Sequence, residues 1–253
     1  MTQVDYHAFL KAVRSFALLG APSFQLFEQS VKAKLYDHMP KELNHTTARQ
    51  VKQFLGDHIA RMATTCERAS VTHDDSLFDT VGSNVYMDLK EIEGLQFLIW
   101  YDRAADYLGV VHLPNKSTPA LIVGCREVIL FFKSHGHVIQ QVTTDKESNL
   151  NSLKSFWQEA CGFEPRHSPA YRHQKIIERA IRKLTEMMKV MYSQQLYTLP
   201  TKCISMFIIY AAYLVTLHPT QNTGGNTTPH AIFKGCQPDL RYVTNLYGET
   251  VMF

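Results

Sequence analysis

Between Val85 and Leu113 the sequence alternates in a way that only a sheet can use. In Val85-Tyr86-Met87-Asp88-Leu89-Lys90, the residues Val85, Met87 and Leu89 point one way and Tyr86, Asp88 and Lys90 the other, which is the period of a strand. Glu93-Gly94 offers a hairpin turn. Two more strand-like runs follow, LQFLIWYD (95–102) and YLGVVHL (107–113). Residues 117–134 then read as a helix stopped at Gly136. HVIQQVTTD (137–145), rich in β-branched residues, reads as a fourth strand ending at Asp145. A helix over 149–162 closes at Gly162, a short strand or loop follows at 163–171, and a long helix starts near Gln174. Three antiparallel strands, a helix, a strand, a helix, a short strand and a helix make an α/β order with a mixed sheet. That order suits several folds.

The rest of the chain is punctuated differently. Up to about Ser70 it reads as helices, interrupted at Pro22 and Pro40. Thr47 followed by Gln50 is a candidate capping box for a helix through Val51, Phe54, Leu55 and Ile59. HDDSLFDT (73–80) is polar and reads as a linker. Cys203–Leu217, CISMFIIYAAYLVTL, has fifteen residues without a charge. A spanning helix needs about 20 apolar residues, so a buried helix is the expectation, and no membrane partner. Met1–Arg14 lacks the apolar segment of a secretory signal. Five cysteines, all single and none in a Cys-x-x-Cys pair, suit reduced thiols inside a cell.

Three acids stand at informative places. Asp88 lies inside the first strand, Asp145 at the end of the fourth, and Glu178 in the first turns of the long helix. If the first and fourth strands are neighbours, both aspartates reach one rim of the sheet and a helix beside it can add the glutamate. Such carboxylates repel one another unless a divalent cation relieves them, and hard oxygen donors suit Mg²⁺ or Mn²⁺. Two ions about 3.5–4 Å apart can stabilise both the attacking and the leaving oxygen of a phosphoryl transfer. Each acid also has an ordinary reading: Asp88 as an exposed strand residue, Asp145 as a cap before a helix, Glu178 as the i,i+4 partner of Arg182. Spacing alone favours the ordinary readings.

Positive charge is concentrated nearby. Residues 166–189 hold seven Lys/Arg against two Glu, net +5, while the whole chain is +3, so the remainder is −2. Phosphate contacts need such a patch. Ile177, Ile181, Leu184, Met188 and Met191 form an apolar stripe on the helix. Lys175, Glu178, Arg182 and Lys189 lie off it. Arg182 suits either a phosphate or a salt bridge with Glu178 or Glu186. His173 is a DNA contact or a solvent-facing loop histidine, and Tyr171 a base-stacking residue or a loop anchor. Phe156, Trp157, Met187 and Met188 are expected in the core.

Several segments, in order, resemble the integrase of copia-type LTR retrotransposons. DLKEIEGLQFLIWYDRAADYLGVVHL (88–113) is similar to its first catalytic strand and hairpin. KSHGHVIQQVTTDKES (133–148) is similar to the strand with the second aspartate. HQKIIERAIRKLTE (173–186) is similar to the glutamate helix, LPTKCISMFIIYAAYLVTLHPT (199–220) to the helix that closes the core, and TPHAIFKGCQPDL (228–240) to the Ser/Thr-Pro…Phe/Trp-x-Gly…Pro-Asp stretch after it. LGAPSFQL (19–26) resembles the Leu-Gly-His-Pro-Ser stretch of the pre-integrase region.

The resemblance implies an RNase H-like mixed five-stranded sheet flanked by helices. It implies a helical N-terminal region over 1–72, a catalytic core over 80–218 and a C-terminal extension over 219–253. It also implies 3′-end processing and strand transfer by Asp88, Asp145 and Glu178, with Mg²⁺ or Mn²⁺ held by all three. His173, Lys175, Arg179, Arg182 and Lys183 are the expected contacts to double-stranded DNA, in a dimer or higher multimer acting in the nucleus. The sequence departs from the pattern where Lys146-Glu147-Ser148 follows Asp145 in place of a glycine. It departs again at Ala21, where the family has His. With no Cys-x-x-Cys downstream, no zinc is expected, and His38 and His45 are expected at the surface. The alternatives are another RNase H-like nuclease or transposase, and a retroelement-derived protein that binds DNA or a partner without catalysis.

Overall fold

The computed structural model describes residues 3–40, 43–55, 80–144, 152–167, 170–195, 198–220 and 226–240. The chain divides into two compact units. One comprises Met1–Val71, Glu186–Leu199 and Leu214–Phe253, the other Thr72–Thr185 and Pro200–Tyr213.

The second unit is built on a mixed sheet. Its strands are β1 (Val85–Ile92), β2 (Leu95–Asp102), β3 (Tyr107–Leu113), β4 (Val142–Thr144) and β5 (Arg166–His167), in the order β3-β2-β1-β4-β5. Four strands carry the sheet, and the fifth is a strip of two residues. β1, β2 and β3 run antiparallel, while β4 lies parallel to β1 and β5 parallel to β4. The hairpin between β1 and β2 turns on Glu93 (φ 52°) and Gly94 (φ 75°). Two successive left-handed residues match the twist of the strands they join.

Helix α4 (Thr118–Ser134) covers β3. Gly124 lets it lie close, since a Cβ there would stand 2.7 Å from the Leu113 side chain. Trp100 of β2 packs against Phe131 and Phe132, with ring centroids 5.4 and 5.2 Å away. Its cross-strand partner is Gly109, whose missing side chain leaves room for the indole. Both faces of β2 are therefore covered, and its last six residues are all buried. The burial of β1 does not alternate: beyond Met87, Asp88 and Leu89 are both half-buried and Lys90 and Glu91 both exposed. Val85, Tyr86 and Met87 are all buried, so Tyr86 does not face solvent as the pattern suggested.

Three boundaries differ from the sequence reading. The fourth strand is three residues, not nine. Residues 137–141 approach β1 irregularly, with Gln140 N–H donating to Gly82 O at 2.8 Å and Val85 N–H to Gln141 O at 2.9 Å. Gly82 has φ 86°, and a Cβ there would collide with the Val138 carbonyl. This close approach replaces a regular ladder. Helix α5 is Lys154–Cys161, entered by a 3-10 turn at 152–153 and ended by left-handed Gly162. Helix α6 starts at Ala170 and runs to Ser193, so His173 lies in its first turn rather than before it.

In the first unit, α1 (Gln3–Leu18) ends at Gly20, with Ala21 N–H donating to Phe16 O and Gly20 N–H to Ala17 O. That pair is a Schellman closure. Pro22 blocks continuation, and the Ser23 hydroxyl then accepts from Leu26 N–H to start α2 (Phe24–Lys32). The Leu-Gly-x-Pro-Ser stretch is thus a helix stop followed by a helix start. Helix α3 (His45–Leu55) does have a reciprocal cap, but three residues earlier than expected. Asn44 accepts from Thr47 N–H and Thr47 Oγ1 accepts from Asn44 N–H, both at 3.0 Å.

The described part of 219–253 pairs with the N-terminal region rather than extending the sheet unit. Asp37 and Asp239 form a parallel bridge, and His38, exposed as expected, lies 3.1 Å from the Asp239 carboxylate. Helix α8 (Pro229–Lys234) has Thr228 as cap, Pro229 in its first turn and left-handed Gly235 at its end. The Thr-Pro…Phe-x-Gly motif therefore outlines one short helix, with Phe233 buried.

Helix α7 (Thr201–Thr216) buries Phe207, Ile208, Ala211 and Ala212 but leaves Met206 60% and Ile209 37% exposed. No helix among the described residues is long and apolar enough to cross a membrane.

Candidate active site

Asp88 sits on the central strand β1, half-buried, opposite Ile99 of β2. Its Oδ1 accepts from Leu89 N–H at 2.8 Å. The residue before it, Met87, is in register with Thr144 of β4. Asp145 lies outside the described residues. Glu178 is exposed on α6. Among the described residues no three His, Cys, Asp or Glu side chains are gathered to hold a metal ion. Two of the three expected carboxylates belong to that set.

The strands entering this rim are tightly held. Thr143 Oγ1 donates to Asn84 Oδ1 at 2.7 Å, both groups being buried. Tyr86, two residues before Asp88 on the same face of β1, has its pKa raised by burial, against the pull and the hydrogen bond of Arg103.

Helix α6 turns one face to the core and another to solvent. Ile177, Ala180, Leu184, Met187, Met188 and Met191 are buried, which fits the expected stripe and places the two methionines in the core. Ile181 is half-exposed, and Ala180 takes its place. Lys175, Glu178, Arg182, Thr185 and Lys189 are all exposed or nearly so along one side of the helix, at spacings that repeat on a single face. Among the described residues, no ion pair within 4 Å joins Arg182 to Glu178 or Glu186. Arg179 is half-exposed. The side chains of Tyr171 and His173 lie outside the described residues. Phe156 and Trp157 are buried, as expected.

Lys183 has a different role from its neighbours. Its ammonium lies 3.2 Å from both carboxylate oxygens of Asp106, which is buried at the end of the turn between β2 and β3. Tyr101 O–H donates to the same carboxylate. A second buried acid, Asp102, accepts from Gly82 N–H at 2.7 Å and Ala105 N–H at 2.8 Å. Burial pushes its carboxyl pKa up, while those amides and nearby His137 pull it down. Neither acid stands out in the sequence. The available signal is an aspartate ending a strand and another closing its turn, in Asp102-Arg-Ala-Ala-Asp106.

No protein-family model matches the chain, and no curated protein is significantly similar to it. Among solved structures it is similar to the catalytic core domain of BIV integrase, with a TM-score of 0.45 and 14% sequence identity, over 60% of this chain and 93% of that one. A likeness at that level leaves the chain's chemistry to its own residues.

Proposed function

We propose that this chain is a polynucleotidyl transferase of the integrase type, with an RNase H-like core and Asp88, Asp145 and Glu178 as its acidic triad. The observation that carries the reading is the parallel pairing of β1 with β4 in the register Met87↔Thr144. Asp88 and Asp145 are covalently the next residues after that pair, and a trans peptide advances the chain by about 3.8 Å. The sequence reading required the first and fourth strands to be neighbours. In the order β3-β2-β1-β4-β5 they are. The resemblance to copia-type integrases, carried by the quoted motifs, selects this chemistry from the others that a mixed sheet allows.

The carboxylate donor set suits Mg²⁺ or Mn²⁺, which in such a site supplies charge for an in-line phosphoryl transfer. Asp88, Asp145 and Glu178 would hold it. Lys175 and Arg182, on the helix that carries Glu178, would take DNA phosphates, with Arg179 and His173 flanking them. The product would be element DNA joined to target DNA by a multimer of the chain in the nucleus.

Metal binding tests this reading without DNA. A ligand that binds only the folded state raises its stability. Mn²⁺ should raise the melting temperature of the wild type and leave Asp88→Asn and Glu178→Gln unmoved. A folded wild type that gains nothing from Mn²⁺ would point instead to a protein that binds nucleic acid without catalysis.

A further inference from the structure

The buried cluster of Asp106, Tyr101 and Lys183 is larger than a hairpin needs. The turn is already closed locally, with Asp106 N–H donating to Arg103 O at 3.4 Å and Ala105 N–H to the Asp102 carboxylate at 2.8 Å. Asp106 instead commits both carboxylate oxygens to a lysine 77 residues away in sequence, plus a phenol from β2. Burying a carboxylate without a partner is costly, so this acid holds the Lys183 ammonium in place.

The geometry shows what the tether fixes. Lys183 follows Glu178 by five residues, which is about 140° around the helix and about 7.5 Å along it. Holding Lys183 against the β2–β3 turn therefore sets the rotation of α6 about its own axis, and with it the direction of Glu178. The turn is continuous with β2, and β2 holds Asp88 in register opposite Ile99. A continuous covalent and hydrogen-bonded path thus joins the two described carboxylates: Glu178, α6, Lys183, Asp106, β2, β1, Asp88. We propose that Lys183 and Asp106, with Tyr101, form a positioning clamp that orients Glu178 toward the metal site, and that Lys183 is not itself a DNA contact. This rests on the reading of Glu178 as a metal ligand. Groups hydrogen-bonded directly to a metal ligand typically matter by about 10–100-fold in affinity, and a clamp that acts through the helix belongs at the low end of that range.

The experiment combines a metal titration with hydrogen exchange on the full chain, well below the melting temperature of every variant. Mn²⁺ binding is followed by loss of the free-ion EPR signal, and exchange is read over the amides of Glu178–Lys183. The variants are Lys183→Met, the double variant Asp106→Asn/Lys183→Met, which removes the stranded buried charge and keeps the turn (Asn tolerates the φ of 53° at position 106), and the conservative Lys183→Arg. The clamp predicts a Mn²⁺ midpoint about tenfold weaker and faster exchange in α6 for the first two. Lys183→Arg should remain near wild type. A folded double variant with an unchanged Mn²⁺ midpoint overturns the positioning role. Unchanged exchange overturns the clamp. A wild type that binds no Mn²⁺ sinks the metal reading and the positioning role together, while exchange still decides the mechanical clamp.

Discussion

The Lys183 ammonium stands 3.2 Å from both carboxylate oxygens of buried Asp106, although its neighbour Arg182 on the same helix turns toward solvent. Two cations one residue apart should therefore behave differently toward DNA. Removing one phosphate-binding cation lowers the slope of log affinity against log salt by about 1. Arg182→Ala and Lys175→Ala should each show that change. Lys183→Met should leave the slope alone, whatever it does to stability. Equal slope changes for Arg182 and Lys183 would mean that the ion pair opens on binding.

Gly82 marks where the chain before β1 meets the irregular run into β4. Its φ of 86° and the collision of any Cβ with the Val138 carbonyl leave alanine no comfortable conformation. Gly82→Ala should cost at least about 2 kcal/mol. Gly94→Ala is the control, because its φ is 75° but nothing lies within 4 Å. It should cost about 1 kcal/mol. Urea unfolding of both variants makes the comparison, and equal losses would argue against the close approach at Gly82.

Asp102 gives a pH signature. Its folded pKa lies above the usual 3.8 because burial outweighs the Gly82 and Ala105 amides and His137. The folded protein then holds this proton more tightly than the unfolded chain does. The resulting stabilisation is complete below the unfolded value and is lost as pH rises through the folded one. Wild type should therefore lose stability relative to Asp102→Asn as pH rises from about 3.8. Denaturant titrations at several pH values would show the gap shifting in that direction, and a shift the other way would contradict it.

The cysteines should separate by reactivity. Cys125 is buried, and burial, helped by nearby Cys161, pushes its thiol pKa up to about 12. Cys236 is exposed. Only the thiolate reacts. An alkylating agent at neutral pH, mapped by mass spectrometry, should label Cys236 in the native protein and Cys125 only after denaturation.

Much of the fold is legible in the sequence because its punctuation is local. Gly136, the expected helix stop, does end α4, with His137 N–H donating to Phe132 O and Gly136 N–H to Lys133 O. Glu93-Gly94, the expected hairpin turn, lies in a register continuous from Val85↔Asp102 to Ile92↔Leu95. What a local reading misses depends on the rest of the chain. The β-branched run 137–145 reads as one strand, yet over 137–141 its backbone approaches the chain at Gly82 without a ladder. The cap of α3 falls on Asn44 because Asn44 and Thr47 satisfy each other's N–H groups, a pairing that the Thr47–Gln50 spacing conceals. Tyr86 alternates correctly but is buried, because the strand is covered on both faces at that end. Among the candidate site residues, Lys183 looks like one more cation in a basic helix. Its partner is an aspartate 77 positions upstream, a distance that no local pattern spans.

The most direct test is disintegration of a branched DNA mimic of an integration product, by the purified chain with Mn²⁺ or Mg²⁺. Asp88→Asn, Asp145→Asn and Glu178→Gln are run beside it. The account predicts metal-dependent resolution of the branch by the wild type and its loss in all three variants. Resolution that persists in folded Asp88→Asn or Glu178→Gln, or a folded wild type inactive with either metal, would contradict it.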